Sequence, residues 1–162
     1  MSNELTTVST NNYGEKKIRN IGSFDIVSET ALNKWFKTGA LLRGFLLNNK
    51  LLTPDFSLST EITPVPGRDY FIKANFSRNS KIPSLNDMYW YPGGNEDLEN
   101  EAGFLSEVSW EMSSHISTSV EIKNGITFFR NHLNNMIAWR PGEYSYWEAR
   151  NVGIVNSSGI EA

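Results

Sequence analysis

Two runs of alternating apolar and polar residues, separated by turn-forming residues, constrain this chain more than any other stretch. In residues 56–62 and 70–76, apolar side chains take nearly every second position, a period typical of β-strands with one buried and one solvated face. Pro64, Pro66 and Gly67 lie between the runs, and the last two suit a type II turn. The stretch predicts two joined strands at the centre of a β-sandwich. The residues at these alternate positions, which share one face of each predicted strand, are Phe56, Leu58, Thr60 and Ile62, then Tyr70, Ile72, Ala74 and Phe76.

Composition excludes several classes of protein. The 162 residues carry a formal net charge of −3, which argues against nucleic-acid binding because phosphate contacts need a basic surface. No apolar run approaches the roughly 18 residues of a membrane-spanning helix, and the N-terminus lacks the pattern of a secretory signal peptide. The sequence therefore predicts no membrane insertion. The absence of cysteine excludes disulfides, thiol catalysis and cysteine-ligated zinc.

The first third of the chain contains the one good helix candidate. Ser28 is a suitable N-cap for a helix that runs to Thr38, and Gly39 supplies a stop. Residues 40–47 are almost all apolar and fit either an extension of that helix or a buried strand. A strand is favoured because Gly39 and Gly44 weaken a helix.

The second half of the chain predicts short strands separated by turns. Asn124-Gly125 lies between two apolar alternations, which is a strong signal for a tight hairpin turn. It predicts that residues 120–123 and 126–130 are two strands joined at this dipeptide. A further short strand is expected at residues 88–91.

Roughly nine or ten short strands at regular spacing favour an all-β fold. We predict a single-domain antiparallel β-sandwich, jelly-roll-like, with one short N-terminal helix. The sandwich is expected to span residues 16–155. Residues 1–15 are rich in Thr, Ser and Asn and predict a flexible N-terminal arm, and residues 156–162 predict a polar C-terminal tail.

Tyr89, Trp90 and Tyr91 form the most prominent candidate ligand-binding site. Aromatic side chains on a strand bordered by a loop present flat apolar faces with polar tips, which suit sugar rings. The alternative, which we favour on general grounds, is that both tyrosines pack inward while Trp90 covers a neighbouring strand. The same choice arises, with core packing again favoured, for Trp139, Tyr144, Tyr146 and Trp147.

Other candidate chemistry is sparse. The acidic segment 96–101 offers oxygen ligands suited to Ca²⁺, but it lacks the spacing of a calcium-binding loop and is more simply a solvated loop. His115 and His132 are the only histidines, and neither belongs to a metal-binding motif. We therefore predict no catalytic residue, no metal site and no cofactor. A pair of carboxylates that meets across strands would still be compatible with a small enzyme.

The order of several segments resembles a β-sandwich module of phage tail-fibre and receptor-binding proteins. The resemblance begins with the glycine-led strand 44–52 and the isoleucine strand 59–62, followed by the corner Val65-Pro66-Gly67-Arg68-Asp69-Tyr70. The later strand 126–131 is similar to one in those modules, and residues 146–152 are similar to a last strand of carbohydrate-binding sandwiches. The Pro-Gly-x-x-Tyr corner is the most specific of these features, although it also recurs in unrelated sandwiches.

The resemblance implies a non-enzymatic structural component of a virion, located in the virion and associated with a phage tail or fibre. Its expected partners are other virion subunits or further copies of this chain, with a host-surface glycan as a possible ligand. The alternative functions are a free-standing lectin-like carbohydrate-binding domain and, third, a small carboxylate-dependent enzyme.

Overall fold

The computed structural model describes residues 2–65, 69–117 and 120–162, which form almost entirely antiparallel strands. Helical structure in these residues is limited to a 3-10 turn, Asn11–Tyr13, and helix α1, Leu85–Tyr89. The predicted all-β, antiparallel class is therefore confirmed. The strands are β1 (Ser2–Val8), β2 (Lys17–Asn33), β3 (Phe36–Leu47), β4 (Lys50–Leu51), β5 (Asp55–Ile62), β6 (Tyr70–Lys81), β7 (Glu101–Ser117), β8 (Val120–Asn134), β9 (Ile137–Pro141), β10 (Trp147–Asn151) and β11 (Ile154–Glu161).

Most strands belong to one sheet with the order β1-β2-β3-β5-β6-β7-β8-β11, and the short β4 pairs with β3. Strands β9 and β10 form a separate two-stranded hairpin. The two alternating runs singled out in the sequence are β5 and β6, which pair with each other in the middle of the sheet, as predicted. The Pro-Gly corner predicted between them falls on residues 66–68, outside the described residues.

The register of the strands divides the side chains into two faces of opposite character. Residues directly opposite each other in an antiparallel pair point to the same side of a sheet, and their neighbours along the strand point to the other. Leu58, Phe76 and Ser106 share one face in this way, whereas Ser59, Asn75 and Glu107 share the other. We call these the outward face and the inner face.

The sheet curves so that the inner face is concave. An open cavity of about 750 Å³ on that face is lined by residues from β2 to β11. At one end of the sheet, Arg19 in β2 donates a hydrogen bond of 2.6 Å to the carbonyl of Pro83, just beyond β6. Because β3 and β5 separate β2 from β6, this contact requires a curved sheet.

The predicted sandwich is wrong, although the strand class is right. A sandwich buries the apolar faces of two sheets against each other, about 10 Å apart. Here the alternating apolar residues lie on the outward face, where Leu58 is 52% exposed and Phe76 is 42% exposed. The one described cluster of buried apolar residues is small and consists of Leu98, Ile137 and Ala149, with Trp139 packed against it. Alternation identified an apolar face correctly but could not say what covers it.

The predicted helix from Ser28 to Thr38 is also wrong. These residues lie in β2 and β3, with a tight turn at Lys34 and Trp35. Pairing along both strands satisfies the backbone, and no described element covers the apolar face that a helix would have presented. The preference for a strand at residues 40–47 is confirmed, since they lie in β3.

The ends of the chain and the Asn-Gly dipeptide also differ from the predictions. Residues 2–8, expected in a flexible arm, form strand β1, which pairs with β2 from Ser2↔Ser23 to Val8↔Lys17. Residues 156–161, expected in a tail, belong to β11. Gly125 lies inside the continuous strand β8, opposite Glu111, because the long register with β7 outweighs the local turn preference.

The connections at the two ends of the sheet differ in length. We call the end with long connections the loop end and the opposite end the turn end. The loop end carries residues 9–16, 48–54, 82–100 and 135–153, which include α1 and the β9–β10 hairpin, whereas the described part of the turn end carries residues 34–35, 63–65 and 69.

Candidate functional site

The outward face carries a broad belt of exposed apolar side chains. Phe56, Phe76 and Phe104 contact one another across three neighbouring strands, with ring centroids 5.8 to 6.5 Å apart. A surface of this extent on a soluble monomer marks a site that something else covers. We call it the apolar belt, and its exposed members are Ile26, Leu42, Leu58, Ile72, Phe76, Phe104, Val108, Trp110, Ile126, Phe128 and Ile160.

The inner face carries charged pairs instead. Lys37 and Glu61 lie opposite each other on β3 and β5 and form an ion pair of 2.8 Å. Lys73 reaches diagonally to Glu111 at 2.6 Å. Each of these pairs is partly exposed, so the concave wall carries ion pairs beside apolar side chains such as Leu41 and Phe129, whereas the convex wall is mainly apolar.

At the loop end, one aspartate joins α1 to the β9–β10 hairpin. Ser84 Oγ accepts the backbone N–H of Asp87 at 3.0 Å, and the Asp87 carboxylate accepts the backbone N–H of Ser84 at 2.9 Å, which completes a capping box. The other carboxylate oxygen of Asp87 accepts the indole N–H of Trp139 in β9 at 2.9 Å. The tryptophan ring is therefore held in one orientation.

Close backbone packing joins the segment after α1 to β10. The carbonyl of Gly93 accepts the N–H of Ala149 at 2.8 Å. Gly93 has φ of +109°, and a Cβ there would lie 1.9 Å from the carbonyl oxygen of Trp147. Only glycine fits this position.

These contacts build an aromatic cleft of about 530 Å³ at the loop end. Trp147 is 59% exposed and Trp90 is 39% exposed, so both indoles present apolar surface to solvent. The lining contains no charged side chain, so the cleft suits an uncharged apolar surface of a ligand. The residues that line it are Asn86, Trp90, Pro92, Trp139, Tyr146 and Trp147.

The three residues predicted as a binding strand do not form one, although all three line a depression of about 340 Å³. Residues 85–89 are helical, so the strand predicted at 88–91 is wrong. Tyr89 packs beside Tyr13, under the ammonium of Lys17 at 4.3 Å from the ring centroid. Tyr91 is exposed beside a neighbouring depression, and Trp90 alone enters the aromatic cleft. A ligand-binding role for these residues stays a prediction.

The sequence analysis considered Trp139, Tyr146 and Trp147 as binding residues but favoured core packing for them. It did not identify Asn86 as a binding residue. Their convergence depends on the long connections at the loop end. One local signal was available, because Ser84 followed three residues later by Asp87 is a capping-box pattern and marks the start of α1.

The hydrogen bonds around Asp87 control its ionisation. Burial by itself would raise the pKa of this carboxyl group. The hydrogen bonds from the side chain and backbone of Ser84 and from Trp139, with the charge of Lys81, outweigh burial, and the pKa lies below its usual value. The carboxylate is thus the stable form in the capped structure.

Two of the four carboxylates considered for Ca²⁺ in segment 96–101 have protein partners. Glu101 accepts hydrogen bonds from Lys81 at 3.0 Å and from the backbone of Ile137 at 2.8 Å, and Glu99 accepts one from Asn135 at 2.6 Å. His115 lies 4.0 Å from Asp69 at the turn end. Within residues 2–65, 69–117 and 120–162, no three His, Asp or Glu side chains are placed to hold a metal ion. The part of the chain that the structure describes contains no helix long and apolar enough to cross a membrane.

Residues 19–162 match the model of the protein family described as "TonB dependent receptor-like, beta-barrel". The chain is 33% identical over 82 residues, 50% of its length, to the vitamin B12 transporter BtuB of Vibrio vulnificus. It is 29% identical over 94 residues, 56% of its length, to the vitamin B12 transporter BtuB of Photobacterium profundum. These alignments cover 13% and 15% of the two transporters.

The fold is similar to that of the siderophore receptor PirA from Pseudomonas aeruginosa. The TM-score is 0.80 at 21% identity, over 96% of this chain and 30% of the PirA chain. The chain thus corresponds to about a third of that receptor.

These findings overturn the resemblance to phage tail-fibre modules. The predicted virion component, its virion partners, its host-surface glycan and its location in a virion are wrong. The Pro-Gly-x-x-Tyr corner that suggested them recurs in unrelated β proteins. The exclusion of membrane insertion rested on the absence of a long apolar run, but strands that alternate between two environments need no such run.

Proposed function

Because the chain belongs to the TonB-dependent receptor-like β-barrel family, we propose that it forms part of the wall of an outer-membrane uptake receptor. In this proposal the apolar belt faces lipid and the inner face surrounds a hydrated lumen. The long connections at the loop end face outward from the cell, because outer-membrane barrels have short periplasmic turns and longer extracellular loops. Coupling to TonB is part of the same proposal.

The observation that carries the proposal is the exposed apolar belt on one face of a sheet whose other face carries nearly all of the charged side chains. On β7 the belt extends from Phe104 to Met112, about 27 Å along the strand at roughly 3.4 Å per residue. With a strand tilt of about 40°, this projects to about 20 Å, close to the ~25 Å apolar band of outer-membrane barrels. In water this surface would be unfavourable, whereas lipid covers it.

The aromatic cleft supports a role in ligand capture. It lies among the loop-end connections, where a receptor wall meets the outside, and it is lined by Trp90, Trp139 and Trp147 without charge. The relatives are named as a transporter of vitamin B12 and a receptor for siderophores. Vitamin B12 and iron-loaded siderophores are both bulky metal chelates. We propose that the chain contributes these indoles to the first contact with a ligand of that class.

Tryptophan quenching by lipid tests the membrane arrangement. In vesicles whose acyl chains carry bromine, we expect contact quenching of Trp110, since its side chain lies on the belt and is 40% exposed. Trp110→Phe should remove much of the quenching, and the control Trp147→Phe at the loop end should leave it in place. Equal quenching in wild type and Trp110→Phe would contradict a lipid-facing belt.

A separate experiment tests the cleft. Binding of cyanocobalamin and of a ferric siderophore is measured for the intact protein by equilibrium titration. For the probe that binds, Trp147→Ala should weaken affinity by about tenfold, since losing one aromatic contact costs roughly 1.5 kcal/mol. Trp35→Ala, at the turn end, is the matched control. Unchanged affinity in Trp147→Ala would rule out the cleft as the contact surface.

A further inference from the structure

One charged side chain on the outward face has no partner among the residues that the structure describes. Among the described residues of the nine-stranded sheet, the register assigns only two Arg, Lys, Asp or Glu side chains to that face, Arg78 and Arg130. Arg78 is neutralised, because it donates to the carboxylate of Asp55 at 2.8 Å and to the carbonyl of Pro54 at 2.9 Å. Arg130 is exposed and makes no hydrogen bond or ion pair with a described residue.

Arg130 lies at the edge of the apolar belt nearest the loop end. On β8 the next outward residue toward the turn end is Phe128, which belongs to the belt, and the next toward the loop end is His132. The register places Ser106 on one side of Arg130 and Ser158 on the other. His132 Nδ1 and Asn156 Oδ1 are 2.6 Å apart in the adjoining row.

We propose that Arg130 and these flanking hydroxyl groups bind the phosphate of an anionic lipid in the membrane around the barrel. An unpaired guanidinium is unfavourable beside hydrocarbon and extends toward the interface, where it finds counter-charge. A guanidinium can hold phosphate through two parallel hydrogen bonds, and serine hydroxyls add donors in the same place. The lipid tails would then lie along Phe128 and the rest of the belt. This inference rests on the proposed membrane location.

Native mass spectrometry of the intact protein in neutral detergent, with phosphatidylglycerol or phosphatidylcholine added, tests the site. We expect one more phosphatidylglycerol than phosphatidylcholine to be retained per protein. Arg130→Gln should weaken that retention about tenfold, since hydrogen bonds between charged groups are the strong ones. Arg130→Lys keeps the charge but not the two parallel bonds, so its lipid retention should lie between that of wild type and that of Arg130→Gln. Arg140→Gln, which removes an exposed arginine from the β9–β10 hairpin, is the matched control and should retain the lipid.

Several outcomes would overturn the lipid site. The first is equal phosphatidylglycerol retention by wild type and Arg130→Gln, and the second is a loss of retention in Arg140→Gln as large as that in Arg130→Gln. The third is displacement of the lipid by millimolar inorganic phosphate, which would indicate a site for free anions. Circular dichroism of each variant verifies that the strands are intact. Trp110 quenching by brominated lipid, measured on the same samples, separates the two proposals. If Trp110 is quenched but Arg130→Gln retains lipid as well as wild type does, the membrane location stands and only the phosphate site is contradicted.

Discussion

At the scale of single residues, Asp87 joins α1 to the β9–β10 hairpin. Asp87→Ala removes half of the capping box and leaves the indole N–H of Trp139 without its partner. We expect a loss of about 1–3 kcal/mol in the unfolding free energy of the loop end, as for a lost cap together with an unsatisfied donor. Chemical denaturation followed by tryptophan fluorescence measures it.

The control for this change is Asp97→Ala, an exposed carboxylate in the same connection. It should stay within about 0.5 kcal/mol of wild type, as surface changes usually do. Equal destabilisation by both changes would mean that loop charge, and not the network around Asp87, stabilises the cleft.

The same carboxyl group predicts a dependence on pH. Its pKa in the folded loop end lies below the ordinary 3.8, so its contribution to stability is complete above that value. The contribution is lost as pH falls through the lowered pKa, because protonation weakens the bonds from Ser84 and Trp139. A fluorescence titration should show a change in Trp139 below pH 3.8 that Trp139→Phe abolishes. A midpoint above pH 5 would contradict this assignment.

At the scale of elements, neighbouring residues of β7 belong to opposite environments. Val108 lies on the apolar belt and is 50% exposed, whereas Ser109 points into the cavity of the inner face. In membranes, Val108→Arg should destabilise the folded barrel by about 2–4 kcal/mol, the cost of arginine near the bilayer midplane. Ser109→Arg should cost much less. Urea unfolding in lipid vesicles measures both variants, and similar costs would contradict the assignment of the faces.

At the scale of the whole molecule, the apolar belt determines behaviour in solution. Its exposed side chains run from β2 to β11, so water is a poor solvent for this surface. We expect the protein to be dispersed in dodecyl maltoside and to associate when the detergent is removed, and light scattering after size exclusion measures the mass. A monomer that persists without detergent would mean that protein, and not lipid, covers the belt.

The alternation of apolar and polar residues in β5, β6 and β7 was enough to predict strands, their antiparallel pairing and a two-faced sheet. The reason is local, because side chains of a strand alternate whatever surrounds it. The same signal placed Leu58 and Phe76 correctly on one face. Strand preference at residues 40–47 also followed from local glycine content.

Only the tertiary structure decided where each face points. Alternation is identical for an apolar face packed on a second sheet and for one packed on lipid, so the sequence suggested a sandwich where one curved sheet contains most of the strands. Non-local pairing likewise replaced the helix predicted from Ser28 and carried β8 through Asn124-Gly125. The aromatic cleft depends on contacts between residues about 50 positions apart, such as Asp87 and Trp139, and no local pattern determines such distances.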